Sequence, residues 1–167
     1  MRDWKLRHWL LGAGLLVALL TVALFFYYST VQRPLWDLKK QAVRTALKET
    51  PLERAERTEL SHSEQAYVIV YGVDAESEAI IVWVSGEGDT HYAYTGNGTD
   101  EAQILEKWRS AHPDGELIRI VPSVLRDEYA WEIYYEKKEP RGVRKYYDYY
   151  RFEDGEWLNT YTLTLQR

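Results

Sequence analysis

"AYVIVYGVDAESEAIIVWVSG", Ala66–Gly86, is the stretch that decides the fold. Its two runs, Ala66–Asp74 and Glu78–Gly86, are rich in Val, Ile, Tyr and Trp and read as strands. Ala75, Glu76 and Ser77 between them form a loop of hairpin length, so the two strands pair antiparallel. A polar strand-like run near Arg54–His62 precedes the hairpin. Before that, "LWDLKKQAVRTALKET" places Leu35, Leu38, Ala42, Val43, Ala46 and Leu47 on one stripe at helical spacing, bounded by a break at Arg33-Pro34 and by Pro51.

The pattern then starts again. Asn97-Gly98 is a turn, Thr99 suits a helix N-cap, and Asp100 and Glu101 suit the positive end of the helix dipole. Ile104, Leu105, Trp108 and Ala111 make a second apolar stripe that "HPDG", His112–Gly115, stops. Four strands are expected at Glu116–Asp127, Tyr129–Lys138, Val143–Phe152 and Glu156–Leu165, the first bent at Pro122. The chain thus repeats one unit, a helix followed by an antiparallel meander, with a flexible join near Glu87–Gly98. Each helix is expected to cover one face of its own sheet, which gives an α+β fold of two small modules.

Ahead of both units, "WLLGAGLLVALLTVALFFYY", Trp9–Tyr28, carries no charge over 20 residues. At about 1.5 Å per residue it covers roughly 30 Å, one hydrocarbon core. Trp4 and Trp9 at one end and Tyr27 and Tyr28 at the other fit the two interfaces. A cleaved signal peptide is the competing reading, but its apolar region is shorter and ends at a small-x-small site, which "FFYYSTVQRP" does not offer. A retained single span is the better fit. Arg2, Lys5 and Arg7 precede the span while Arg33, Lys39 and Lys40 follow it, so charge hardly sets orientation; the short amino-terminal tail argues for that end inside and the body outside.

Composition excludes several function classes. The 167 residues include no cysteine, so there is no disulfide framework, Cys-ligated zinc or thiol nucleophile. Met1–His8 hold Arg2, Lys5 and Arg7 against Asp3, which leaves 18 of the 21 basic and 25 of the 26 acidic residues to the remainder, a net charge of −7 against −5 for the whole. Nucleic acid is not an expected partner of so acidic a body, because phosphate binding needs clustered Lys and Arg.

With the anchor, the helix behind it, "AIIVWVSGE", "WEIYY" and "YYDYYRFEDGEWL" in this order, the chain resembles the TseB-like (YpmB-like) cell-wall elongation regulators of Gram-positive bacteria. The most specific pieces are "F-x-D-G-x-W" at Phe152–Trp157 and the "IIVWV" strand; the basic insertion "KKEPRGVRK" departs from the pattern. The resemblance implies two PepSY-like, cystatin-like modules outside the membrane. It also implies regulation of elongation in association with a penicillin-binding transpeptidase or another cell-wall synthesis protein, with no known catalysis. The expected boundaries are a tail at 1–8, a transmembrane anchor at 9–28, a first module at 34–88 and a second at 89–167.

No motif points to a cofactor, metal or catalytic centre. The four histidines, His8, His62, His91 and His112, lie in separate segments without H-E-x-x-H spacing, and neither G-x-S-x-G nor S-x-x-K occurs. The glycines at 86, 88, 96 and 98 match neither a Rossmann fingerprint nor a P-loop and read as an inter-module linker. "DAESE", Asp74–Glu78, starts like a calcium loop but lacks its glycine and distal glutamate, and reads as a hairpin tip.

The candidate site is the aromatic run "KYYDYYRFEDGEW", Lys145–Trp157. Alternation puts Trp157, Tyr161, Leu163 and Leu165 on one face of the last strand, assigned to the helix-covered side together with Phe152, Tyr129, Trp131, Ile133 and Tyr135. Glu132, Tyr134, Glu136, Tyr147, Tyr149 and Arg151 then fall on the open face. Tyr134, Tyr147, Tyr149 and Arg151 are the partner-binding candidates, since Tyr and Arg concentrate at binding hot spots. The competing reading is that these tyrosines pair across strands or pack against the first module. Other functional readings are a PepSY-type protease inhibitor or chaperone-like module and, less favoured, an enzyme acting on wall glycans.

Overall fold

The computed structural model describes residues 2–62, 65–140 and 142–163, and the side chains of these except 2–13, 25, 27–33 and 62. The chain divides into two units, Met1–Lys40 and Gln41–Arg167. Helix α1, Arg2–Glu49, begins in the first unit and ends in the second. The break expected at Arg33-Pro34 does not occur: Pro34 lies inside α1. Proline removes one backbone hydrogen bond, but Leu35–Glu49 beyond it is rich in good helix formers and propagates the helix from there. In the first unit Leu15, Leu16, Val17, Leu19, Leu20, Val22, Leu24 and Phe26 are all exposed. Among the described residues no helix is long and apolar enough to cross a membrane. The span expected at 9–28 lies partly outside the residues whose side chains are described.

The second unit holds two four-stranded antiparallel meanders. Sheet one is β1 (Arg54–His62), β2 (Ala66–Val73), β3 (Ala79–Ser85) and β4 (Thr90–Tyr94), hydrogen-bonded in chain order. Sheet two is β5 (Glu116–Leu125), β6 (Glu128–Glu139), β7 (Gly142–Arg151) and β8 (Trp157–Leu163), also in chain order. Helix α2, Glu101–Ala111, lies between them in sequence. Its N-cap is Asp100 rather than Thr99: the Asp100 carboxylate accepts from the Gln103 amide at 2.8 Å, and the Gln103 side chain accepts from the Asp100 amide at 3.2 Å. The segment expected as a linker contains β4, which pairs with β3 from Ile80↔Tyr94 to Val84↔Thr90 and so belongs to sheet one.

The two faces of sheet one are both buried, against different neighbours. Val68, Val70, Ile80, Val82 and Val84 share one face and form a core with Ala42 and Ala46 of α1 and with Leu52. The small alanines let the helix backbone approach the strands, while Leu35, Leu38 and Leu47 of the expected stripe stay exposed. Ile69, Ile81 and Trp83 point to the opposite face. There they join Ile104 and Trp108 of α2 and Trp131, Ile133, Tyr135, Tyr150 and Phe152 of the second meander in one core. The first sheet is therefore covered twice, by α1 and by the second module, and not by its own helix alone. Ser61 of β1 and Ser123 of β5, both fully buried, share a hydrogen bond of 2.8 Å across the junction.

Candidate functional site

The face of sheet two turned away from α2 carries the sequence-predicted site. Register fixes its cross-strand rows. Arg119, Tyr134, Tyr147 and Tyr161 lie opposite one another on β5, β6, β7 and β8, and Glu132, Tyr149 and Asn159 form the adjoining row. Tyr134 and Tyr147 stack with ring centroids 4.5 Å apart and planes 14° from parallel. The Lys145 ammonium stands 5.6 Å from the Tyr134 ring centroid, within cation–π range. Both tyrosines are half-buried, and Tyr161 beside them is 39% exposed.

Tyr149 does not belong to an exposed stripe. It is buried, and its hydroxyl donates to Glu132 at 3.0 Å; Glu132 is itself 1% exposed and receives the Arg119 guanidinium at 2.5 Å. Burial, and then the charge of Glu132, pushes the Tyr149 phenol well above its ordinary pKa. Arg119 reaches on to the Leu60 carbonyl at 3.1 Å, tying β5 to β1. Glu132 was expected to point into solvent. Alternation places it on the right face, but Tyr149 closes over it and Leu125, Ala130, Tyr147 and Leu158 form a small apolar cluster with Tyr149. A carboxylate held this deep needs both of its partners.

Arg151 is likewise committed. It binds Glu128 at 3.1 Å, Asp154 at 2.9 Å and Glu156 at 2.6 Å, a carboxylate cage that raises its pKa and clamps the β7–β8 turn to the start of β6. Of the four candidates, the structure brings Tyr134 and Tyr147 together, places Tyr149 inside, and sets Arg151 apart as a turn clamp.

The last strand corrects a further expectation. Tyr149 pairs with Asn159 but Tyr150 pairs with Trp157, so Leu158 is an extra residue and the side-chain alternation shifts there. Tyr161 and Leu163 consequently lie with Tyr147 and Lys145, away from α2, at 39% and 44% exposed, and Trp157 is 52% exposed rather than core. Leu165 lies outside the described residues. The shift puts Thr160 opposite Asp148, a fully buried carboxylate that accepts from the Thr160 hydroxyl at 2.6 Å and the Tyr135 hydroxyl at 3.3 Å, with His112 Nε2 at 2.9 Å.

A second set of residues comes together only in the fold. His91 of β4 stacks on Tyr129 of β6, ring centroids 3.6 Å apart and planes 11° from parallel, and Trp83 packs beside both. Two cavities, of about 350 and about 470 Å³, flank this stack. Tyr129 was expected in the core and Trp83 in a strand, but nothing in the sequence joined either to His91, a lone histidine in a glycine-rich stretch. Among the described residues no group of three or more His, Asp or Glu could hold a metal.

With this geometry in hand, comparison with known proteins is informative. Residues 41–85 match the family of the cell wall elongation regulator TseB-like domain. The resemblance drawn from the "IIVWV" strand and the helix before it is borne out over that segment. Among solved structures, the YpmB protein from Bacillus subtilis superposes with a TM-score of 0.65 at 20% identity, covering 74% of this chain and 96% of that one. The fold, two helix-and-meander modules, is therefore shared with that protein. No curated protein matches the chain.

Proposed function

We propose that this chain is a membrane-anchored, extracytoplasmic regulator of cell-wall elongation that acts by binding a penicillin-binding transpeptidase or a protein associated with it. The observation that carries the reading is the match of residues 41–85 to a regulator domain. The tyrosine row of sheet two supplies a surface suited to it. Tyr134, Tyr147 and Tyr161 present broad amphipathic rings held by cross-strand pairing, with Lys145 and the exposed Leu163 beside them, and such rings lose little conformational freedom on binding.

The anchor is supported by the first unit. Eight large apolar side chains between Leu15 and Phe26 are exposed on one helix, which is costly in water and favourable in lipid. Thr21, the polar residue among them, donates its hydroxyl to the Val17 carbonyl at 2.9 Å and so enters an apolar medium satisfied. Tethering the outer part and a membrane-bound partner to one plane raises their effective concentration, so a weak contact suffices for occupancy.

The test is crosslinking in intact cells with tagged full-length protein, comparing wild type, the Tyr134→Ala/Tyr147→Ala double variant and the anchor alone. Wild type is expected to enrich a cell-wall transpeptidase or its associate, and the double variant to lose it while remaining folded. Enrichment of a protease, or of nothing beyond the anchor-only control, would sink the reading; equal capture by the double variant would reject the tyrosine row as the docking face.

A further inference from the structure

Pro34–Lys40 of α1, which follows the uncharged run and belongs to the first unit, combines exposed apolar side chains with basic ones. Leu35, Trp36 and Leu38 are 37%, 61% and 40% exposed. Residues 33–48 hold five Lys or Arg against one acid, Asp37. We propose that this segment is a headgroup collar, which binds the phosphates of anionic phospholipids where the helix leaves the bilayer. The proposal rests on the membrane anchor proposed above and goes beyond it, to the lipid class that surrounds the anchor and the residues that hold it.

The helix itself sets the depth of each residue. Arg33, the first charge after the uncharged run Trp9–Gln32, marks where headgroups begin, and α1 continues through Pro34. At about 1.5 Å per residue Trp36 stands about 4–5 Å further on, within an interfacial layer about 5–8 Å thick. Indole favours this layer, because its ring is apolar while its N–H seeks a polar partner. Lys39 and Lys40 stand about 9–10 Å beyond Arg33, and helical side chains lean toward the helix N-terminus, here toward the bilayer. Their apolar stems reach back past Trp36, three and four residues earlier on the same side, and carry the ammonium groups to the phosphates.

Charge selects the lipid class. Beyond Lys48 the chain holds 13 basic and 24 acidic residues, so positive charge is concentrated beside the span and the remainder is strongly negative. Each Lys or Arg near an anionic surface adds an increment of attraction that dies away within a Debye length, about 8 Å at physiological salt. Lys39 and Lys40 fall within that reach. Lys48, about 22 Å beyond Arg33, falls outside it and is paired with Glu49. A zwitterionic headgroup balances its phosphate with its own ammonium and offers no net attraction.

The apolar side chains point to the same medium. Ala42 and Ala46 are the α1 residues buried against sheet one, and they begin a full turn beyond Leu38. Leu35, Trp36 and Leu38 precede that contact and stay outside the protein core. A lipid surface meets both features together, apolar atoms at the acyl boundary and lysines at the phosphates.

The test places the full-length chain in phosphatidylcholine nanodiscs with rising fractions of phosphatidylglycerol. The readout is the indole N–H resonance of Trp36, assigned by its loss in Trp36→Phe. The resonance is expected to shift saturably with the anionic fraction, and less at about 1 M salt, where the Debye length falls to about 3 Å. Lys39→Gln/Lys40→Gln should need at least about threefold more phosphatidylglycerol for the same shift, whereas Lys39→Arg/Lys40→Arg and Lys48→Gln should respond like wild type. A resonance indifferent to anionic lipid, an unaltered response in the double Gln variant, or an equal loss in Lys48→Gln would overturn the proposal. Free glycerol phosphate added to phosphatidylcholine nanodiscs should leave the resonance in place; an equal shift would replace the lipid with a soluble phosphate ligand. Carbonate washing of vesicles separates the collar from the anchor. A chain that carbonate strips off overturns the anchor and the collar with it, while a chain that stays and whose Trp36 ignores phosphatidylglycerol overturns the collar alone.

Discussion

Replacing Tyr149 by phenylalanine separates the two roles that an open-face tyrosine could have. The substitution removes one hydroxyl and leaves the ring, so the cluster with Leu125, Ala130 and Leu158 is kept. What is lost is the 3.0 Å hydrogen bond to Glu132, a carboxylate 1% exposed that then retains only Arg119. A hydrogen bond to a buried charged group contributes about 1.5–3 kcal/mol. For a folded unit of this size a loss of about 2 kcal/mol lowers the melting temperature by roughly 6–10 °C. Tyr134→Phe, on the half-buried row, is expected to stay within about 0.5 kcal/mol of wild type. Urea denaturation of the full-length chain followed by near-UV circular dichroism measures both, and a cycle with Glu132→Gln should show a coupling of about 1 kcal/mol or more between residues 132 and 149. If Tyr149→Phe is as stable as Tyr134→Phe, or if the cycle is additive, the buried Glu132 network is not what holds this face.

Three further outcomes follow from local geometry. A Cβ at Gly72 would stand 2.0 Å from the Arg54 carbonyl oxygen and 2.6 Å from Leu52 Cδ1, so Gly72→Ala must part β1 from β2 and should cost more than about 3 kcal/mol, whereas Gly86→Ala, with nothing within 4 Å, should leave the denaturation midpoint unchanged. Asp148→Ala removes the acceptor shared by the buried Tyr135 hydroxyl and by the partly exposed Thr160 hydroxyl and His112 imidazole and should destabilise by about 1–3 kcal/mol, measured the same way; a loss below about 1 kcal/mol would mean that Asp148 is not the hub of that cluster. His91 has its pKa lowered by burial, so the unfolded chain binds its proton more readily; the stability this group contributes is intact above about pH 6.5 and falls as pH drops below it, and His91→Phe, which keeps the stack on Tyr129, should flatten the stability–pH profile just below that value.

Much of the fold could be read from local chemistry. β2 and β3 sit within a residue or two of their expected bounds, because β-branched runs, a short polar loop and the absence of competing helical spacing all agree. Helix α2 was legible for the same reason, with Ile104 and Trp108 buried as its stripe required. Legibility ended where a contact depends on register or on a distant partner. Leu158 shifts the parity of β8, and no alternation rule can place a bulge. β4, "THYAY", is short and flanked by glycines, so its pairing with β3 is visible only once β3 is in place. Tyr149 and Glu132 lie on the face that alternation assigned, yet the aromatic rings that close over Glu132 turn an outward position into an interior one. Pro34 erred in the other direction: a residue that usually ends a helix is passed through by α1.

The repeat of helix and meander suggests two independent modules, but Trp83 argues for one cooperative body. Its ring meets Phe152 edge-on at 5.3 Å and Tyr129 at 5.1 Å, both from the second module, and its strand-mates Ile69 and Ile81 are buried in the same core. A first module standing alone would expose this whole face of sheet one to water, at about 1.5–3 kcal/mol for each large apolar side chain. The second module needs the first in turn, since Arg119, which neutralises Glu132, is oriented by the Leu60 carbonyl of β1. The cavities beside the His91–Tyr129 stack are built on this shared core and draw their walls from both modules. Arg119 joins the Leu60 carbonyl of β1 to Glu132, and Glu132 accepts in turn from Tyr149, so a chain of hydrogen bonds runs from the junction to the row that adjoins Tyr134 and Tyr147 on the far face of sheet two.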